Sequence, residues 1–482
     1  MNVTTRIIKN SGLLILASII NNLMTFILTL FTARYLGTYD YGIISSATSL
    51  VGVFGIFCDL GLATYAIREV SRDKQRTSVY FGTVFFLRVV FSLITLGIYT
   101  IFILMSHFNP VETDVMLLFG LYMVFNSLTL CLYSLFQSNE KMEYQTIGNV
   151  IYSVSVLLII LLLIYIHGDV KVVASGYPIA IVLSFSYSLY ITYKHYPRLS
   201  ISLDKSFIKE LFVKGIPFGI TSVFTSIYFW IALILLTFLS GSYAVGLFSS
   251  SQKLLLVFSA IFTLISNAIF PVMSDLYIKN RDELANVYHK LMKYMLMLGL
   301  PIAIGSAIYS KDIIYIIYGS EYVVGANALT ILIWAGVFMF LSSTCSTLLG
   351  AINKQFTATK IAAIGAMFSV VLNTFMIMKF SYIGASVSTV CTEFVILLLM
   401  LLTLRRTEYS ISPRKSVKPV IQIVLANIIM TIAIVYPHLT FLAAVPVAAI
   451  VYVVALLITG GINRDDREIV LDFIDKFRNR NR

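Results

Sequence analysis

Residues that carry covalent chemistry are scarce in this chain of 482 residues, and the scarcity excludes several functions at once. The five histidines, His107, His167, His195, His289 and His438, are scattered, and the four cysteines, Cys58, Cys131, Cys345 and Cys391, lie inside apolar runs without Cys-x-x-Cys spacing. Neither a structural zinc site nor a disulfide framework is expected from such a pattern. There is no Walker A sequence, so no ATPase chemistry is expected within the chain. Charged residues make up 12% of the sequence, about half of what an ordinary soluble domain carries. No charged stretch is long enough to fold as a globular domain, and Asp465-Asp466, beside Arg464 and Arg467, reads as a solvated charge cluster. A cleavable signal peptide is not expected: Met1 to Asn10 is short and basic, and the first apolar run is too long for a signal-peptide core.

Apolar residues are abundant, at 59% of the chain. A bilayer-crossing helix needs about 20 mostly apolar residues. Fourteen segments meet that need, near 11–33, 42–66, 80–106, 114–136, 146–167, 171–193, 213–239, 244–270, 288–309, 325–350, 358–378, 382–404, 418–437 and 440–459. Barrel strands would be shorter and alternate with period two. The net charge of +12 does not indicate nucleic-acid binding, because the basic residues sit between apolar spans instead of on one soluble face. With the N-terminus placed in the cytoplasm, 29 of the 35 lysines and arginines fall on the cytoplasmic side and four outside, with Arg88 and Lys253 left inside spans. Such an asymmetry sets orientation by the positive-inside rule and places both termini in the cytoplasm of a cell-membrane protein.

The chain also repeats itself. A shift of 204 lays Gly37-Thr38-Tyr39-Asp40-Tyr41-Gly42 on Gly241-Ser242-Tyr243-Ala244-Val245-Gly246, with Ser45-Ser46 falling on Ser249-Ser250. Shifts of 213 and 211 lay Lys141 on Lys354 and Ala174-Ser175 on Ala385-Ser386, at matching topological places. The expected architecture is an all-α polytopic membrane protein with two six-helix halves, 1–195 and 196–404, followed by two extra helices and a basic tail in 405–482. Six is even, so the halves are parallel repeats, with a substrate site expected in a central lumen between them.

Polar groups inside the membrane are the candidates for that site. In the first span Ser11, Ser18, Asn22, Thr25, Thr29 and Thr32 share one helix face, which reads either as helix packing or as a lumen stripe. A charge at the bilayer centre costs at least about 2.5–3.5 kcal/mol, so it faces a partner or water. Lys253 lies roughly 15 Å into its span at 1.5 Å per residue, as a lumen cation or half of an internal ion pair. Arg88 shares a face with Ser92, Thr95 and Tyr99, and either serves the lumen or snorkels to the headgroups. Arg34 ends the first span, as an interface anchor or a substrate contact. Glu393 and Asp59 are each read as a partner for a cation or as a site for a coupling H⁺ or Na⁺.

The stretch Ala33-Arg34-Tyr35-Leu36-Gly37, with Tyr41-Gly42, Asp59-Leu60-Gly61-Leu62 and Ala66-Ile67-Arg68-Glu69, resembles the N-terminal signature of the polysaccharide flippases of the multidrug/oligosaccharidyl-lipid/polysaccharide superfamily. The fourteen-span, 6 + 6 + 2 plan is similar to that family too. The resemblance implies translocation of a polyprenyl-diphosphate-linked oligosaccharide from the inner to the outer leaflet by alternating access, through a cationic lumen to which Arg34, Arg88 and Lys253 would contribute. It implies as partners that glycolipid, membrane lipid, a coupling H⁺ or Na⁺ and other polysaccharide-assembly membrane proteins, with no cofactor. Two alternatives stand beside it. An ion-coupled multidrug antiporter of the same superfamily predicts twelve spans and a carboxylate-dominated lumen. A membrane glycosyltransferase or polymerase needs a sizeable external loop with acidic residues, and every external loop here is short.

Overall fold

The structure, a computed structural model, describes residues 3–196, 198–409 and 413–462, with side chains from residue 21 onward except at 261, 263, 264, 267 and 413–416. The side chains of Ser11 and Ser18, and the acidic pair Asp465-Asp466, lie outside the described residues. All regular structure among the described residues is helical: α1 (Val3–Phe54), α2 (Leu62–Arg72), α3 (Thr77–Met105), α4 (Pro110–Ser138), α5 (Met142–Tyr165), α6 (Val170–His195), α7 (Lys205–Lys279), α8 (Arg281–Ile308), α9 (Ser310–Tyr318), α10 (Ala326–Ala351), α11 (Gln355–Arg405), α12 (Pro413–Val435) and α13 (Phe441–Ile458), with short 3₁₀ turns between some of them. Eleven segments of the described chain are long and apolar enough to cross a bilayer. The protein is a multi-pass membrane protein.

Three long helices are bent at one non-helical residue each: α1 at Gly37, α7 at Gly241 and α11 at Ser381. Gly37 has φ 75° and ψ 179°, and Gly241 has φ 78° and ψ 172°. A side chain at such angles is strongly disfavoured, so glycine is what allows each chain to turn without a loop. The two copies of Gly-x-Tyr-x-x-Gly therefore adopt the same backbone.

By contact the chain forms two compact units. The first comprises Met1–Val257, Ile317–Ala328 and Ala362–Thr389, and the second Phe258–Ile316, Leu329–Ile361 and Val390–Arg482. This division follows packing, whereas the expected six-helix halves rest on sequence repetition.

In the first unit two apolar cores form. One draws Tyr99, Phe119, Val156, Val173 and Ala174 together from α3, α4, α5 and α6 against Ile44, Ala47 and Leu50 of α1. The other packs Tyr65, Tyr80, Phe136 and Leu211. Lipid is as apolar as these side chains, so their packing is held by dispersion and polar bonds more than by exclusion from water. The residue where α4 begins is fixed by a capping box, in which the Asn109 side chain accepts from Glu112 N at 2.8 Å and Glu112 reaches back to Asn109 N. The expected single span over 42–66 is interrupted. A 3₁₀ turn (Gly55–Cys58) is followed by Leu60 and Gly61 at φ 52° and 83° before α2 starts. Asp59 stands in this break, where its carboxylate accepts from Ala63 N of the first turn of α2 at 3.0 Å. A Cβ at Gly61 would overlap Gly219 N, so α7 runs directly over this break.

In the second unit α8 packs with α12 and α13. Tyr452 donates to Met297 O at 2.8 Å and Tyr309 to Leu439 O at 3.0 Å, beside an apolar groove of about 540 Å³. Phe258 and Phe340 stack with centroids 4.5 Å apart.

Candidate functional site

The first unit holds a cavity of about 260 Å³ lined by apolar, aromatic and polar side chains together. Helical spacing brings its wall together. From α1, before the bend, come Asn21, Thr25, Leu28 and Thr29; after the bend come Tyr41, Ile44, Ser45 and Thr48. The α7 helix supplies Phe229, Trp230 and Leu233 before Gly241, then Ser249, Gln252, Lys253 and Leu256 after it. Each set recurs at three or four residues, so each arm turns one face inward. Phe119 and Tyr122 of α4, Tyr152, Ser153 and Val156 of α5 and Tyr177 of α6 close the rest. Ser45 and Ser249, equivalent under the shift of 204, both line it.

Lys253 is the one charged residue among the described residues of that lining. It lies twelve residues beyond Gly241, about 18 Å along the helix axis at 1.5 Å per residue. Its side chain is partly buried, and no ion pair or hydrogen bond engages it among the described residues. A cation held at that depth without a protein partner is matched only by water or by an anionic ligand. Among the described residues no carboxylate lines the cavity.

The other expected residues fall in different places. Thr25 and Thr29 line the cavity, and so does Asn21, whereas Asn22 is exposed and outside the lining. Arg88 is a correction to the expectation of a lumen cation. It is 4% exposed, and its guanidinium meets Asp59 Oδ1 through Nη2 at 2.5 Å and Nε at 2.8 Å, while Nη1 donates to Ser127 O at 2.5 Å. All three guanidinium nitrogens are engaged inside the protein, and Arg88 lines no part of the cavity. Asp59 accordingly holds Arg88, not the basic strip at Arg68 and Arg72, where Glu69 stands instead. Arg34 is exposed and donates through Nε to Ile317 O at 2.7 Å, which ties α1 to α9 at the Gly37 bend. Glu393, in the second unit, is 3% exposed and has no ion-pair partner among the described residues.

The Arg88–Asp59 pair gives a first prediction. Arg88→Leu leaves the Asp59 carboxylate, 24% exposed, without its cation and should cost about 3 kcal/mol of stability. The double change Arg88→Leu with Asp59→Leu should recover part of it, less the bond from Ala63 N that Asp59 also accepts. Thermal unfolding of the detergent-purified variants by intrinsic fluorescence checks both; equal losses in the single and double variants would assign the effect to something other than the pair.

Sequence reasoning missed a second group, at the end of the cavity that carries both glycine bends. Glu112 is 8% exposed and accepts from Ser242 Oγ at 2.6 Å and from Tyr39 OH at 3.1 Å, one group from each copy of the turn. Glu321 accepts from Thr38 N at 2.7 Å, and a Cβ at Gly37 would meet its Oε2 at 2.6 Å. Tyr322 OH donates to Ala33 O at 3.0 Å and Gly37 O at 2.9 Å. The arms themselves touch backbone to backbone: a Cβ on Gly42 would overlap Ser242 O, and one on Gly246 would overlap Thr38 O. Just inside, Thr237 donates to Ser46 Oγ at 2.9 Å. The cavity is thus sealed at this end by two glycines and a set of carboxylate-centred bonds. The spacing signal was the second Gly of each motif, which the structure shows to be a contact point.

This fold is found in the multidrug/oligosaccharidyl-lipid/polysaccharide superfamily. A solved lipid II flippase, MurJ, in an inward closed conformation, is similar to the chain with a TM-score of 0.77 at 16% identity, over 92% of this chain and 97% of that one. Residues 217–375 match the MatE family. Residues 7–277 match the polysaccharide biosynthesis protein family, and the chain belongs to that family. Among its curated relatives, the capsular polysaccharide biosynthesis protein CapF of Staphylococcus aureus is 24% identical over 404 residues, 81% of this chain and 97% of CapF. A Shigella flexneri protein put forward as an O-antigen transporter is 26% identical over 363 residues, 73% of this chain and 86% of its own length.

Proposed function

We propose that the protein is a flippase that carries a polyprenyl-diphosphate-linked oligosaccharide, the precursor of a surface polysaccharide, from the inner to the outer leaflet by alternating access. The observation that carries this reading is Lys253, a cation with no ion pair among the described residues, in a cavity of mixed polarity inside a membrane unit of this family. A phosphate is the group that such a lysine would neutralise, and neutral hydroxyls around it suit sugars. The names of the curated relatives, a capsular polysaccharide biosynthesis protein and an O-antigen transporter candidate, support the same substrate class. A cation antiporter is disfavoured because no carboxylate stands among the described residues of the cavity lining. Transport of this kind breaks and makes no covalent bond, so no catalytic residue or cofactor is assigned.

Reading each arm of the three bent helices as its own crossing supports a fourteen-span plan, and the matching backbone at Gly37 and Gly241 supports two parallel six-helix halves, 1–195 and 196–404. With both termini cytoplasmic, the charge asymmetry of the sequence puts the two glycine bends at the outer face. The sealed end of the cavity is then the outer end, and substrate enters from the cytoplasmic side. Arg34 braces the sealed end, and Arg88 with Asp59 holds the break below the α1 arm. Glu393 is our candidate for the coupling H⁺ or Na⁺, because a deeply buried carboxyl without an ion pair is inexpensive to hold only when protonated or ion-bound.

The test is reconstitution of the full chain in vesicles carrying a polyprenyl-diphosphate-linked oligosaccharide in the leaflet that corresponds to the cytoplasmic one. Appearance of the glycan to an external lectin, dependent on the protein, is the expected result. Protein-containing vesicles that expose glycan no faster than empty ones would overturn the reading.

A further inference from the structure

The composition of the cavity wall says more than the presence of Lys253. An unbroken aromatic surface runs from α6 through α4 to α5: Tyr177 packs on Phe119 at 5.1 Å, Phe119 on Tyr122 at 5.9 Å and Tyr122 on Tyr152 at 6.2 Å between centroids. The phenol of Tyr152 donates to that of Tyr122 at 3.4 Å. From α7, Trp230 adds an indole that lies flat enough on α1 for a Cβ at Gly52 to overlap its Nε1. Phe229 stands edge-on to it at 4.7 Å. Between the rings sit neutral polar groups, Thr25, Ser45 and Gln252 among them.

We infer that this wall is a sugar-reading subsite, selective for a neutral, hydroxyl-rich glycan unit, with Lys253 reserved for a single anionic group such as one phosphate of the carrier; the inference rests on the flippase reading above. Three classes of occupant can be compared. A purely apolar molecule would cover the hydroxyls and amides and leave them unpaired. A glycan bearing carboxylates would bring several charges into a wall with one cation, and the surplus would be buried without partners. A neutral sugar satisfies both demands, because its C–H faces lie on aromatic rings while its hydroxyls donate and accept to phenols, hydroxyls and amides that also do both. The volume of about 260 Å³ lies just below the usual range of ligand pockets, about 300–1,000 Å³. It accommodates a sugar ring next to a phosphate, so the units nearest the lipid are the ones read.

The chain holds two tryptophans. Replacing Trp334 by Phe leaves Trp230 as the only indole, a direct reporter of the cavity. The experiment uses full-length protein with that change in vesicles and two lipid-linked disaccharides. One is neutral; the other carries a hexuronic acid in place of the hexose nearest the carrier. Expected are a change in Trp230 emission with the neutral lipid alone, and translocation of it at least tenfold faster than of the acidic one. Trp230→Ala should lower translocation of the neutral lipid about tenfold, with Trp230→Phe retaining most of it. Equal rates for the two lipids, or an unaffected Trp230→Ala protein, would overturn the inference while leaving the flippase reading in place. Should neither lipid move but the neutral one alone alter Trp230 emission, the subsite stands and the flippase reading falls. Unchanged emission with both lipids removes the subsite.

Discussion

Lys253→Ala is expected to reduce translocation of the lipid-linked oligosaccharide by about 10- to 100-fold without weakening the protein. The first number follows from what the lysine does in the occupied cavity: a charge-assisted bond to a phosphate in a poorly solvated site contributes about 1.5–3 kcal/mol. The second follows from what it does in the empty one. Lys253 has no ion pair among the described residues, and an unpartnered lysine at the bilayer centre costs about 2.5–3.5 kcal/mol. Removing it therefore relieves strain, and the purified Lys253→Ala protein should unfold at the same temperature as the parent or higher. Lys253→Arg keeps the charge but enlarges the head, and should retain intermediate transport. The pair of measurements, initial translocation rate and thermal midpoint, separates a ligand contact from a structural role. A variant that loses both stability and transport would make Lys253 part of the scaffold.

The second large effect is expected at the glycine contact. Gly42→Val or Gly246→Val places a branched side chain where the facing backbone carbonyl already stands, Ser242 O or Thr38 O respectively. Neither carbonyl can move without displacing its own glycine bend, so the arms must separate. Overpacking of this kind costs about 1–3 kcal/mol, and here the energy is taken from the sealed state specifically. Cysteine-reactive probes at Ser46→Cys, a position buried in the sealed form, should label several-fold faster from the outer face in Gly42→Val than in the parent. Transport should fall at least tenfold, because a cavity that does not seal cannot return. Unchanged labelling and transport would show that the glycine contact carries no functional load.

Much of this was legible in the sequence for physical reasons. A lipid environment demands a long apolar run per crossing, so spans stand out, and a lysine inside such a run, as at Lys253, is conspicuous because it is costly. The bends at Gly37 and Gly241 were visible as a repeated motif, since only glycine tolerates their φ near 75–78°. Pairing was not legible. Arg88, on α3, and Asp59, in the break before α2, are 29 residues apart, and nothing in either local sequence says that they meet. The break at Gly55–Gly61 was masked by the hydropathy of its surroundings. Glu112 looked like an ordinary first-turn acid of α4, and its reach to Ser242, 130 residues away, is a property of the packed helices alone. The aromatic wall was hidden for a different reason. The chain has 29 tyrosines and 34 phenylalanines, and the wall takes one or two from each of several helices, so no stretch of sequence displays it.

The central claim is that glycan passes through the cavity of the first unit and that its sealed end must open in each cycle. The most direct measurement cross-links that end. Ser46→Cys with Thr237→Cys, in a chain whose four native cysteines are replaced, puts two thiols where hydroxyl oxygens now lie 2.9 Å apart, within the reach of a disulfide with Cβ atoms about 3.8 Å apart. The oxidised protein in vesicles should expose no lipid-linked glycan above the protein-free background, and reductant should restore the rate of the unlinked double variant. An oxidised, fully cross-linked protein that translocates at the reduced rate would contradict the account.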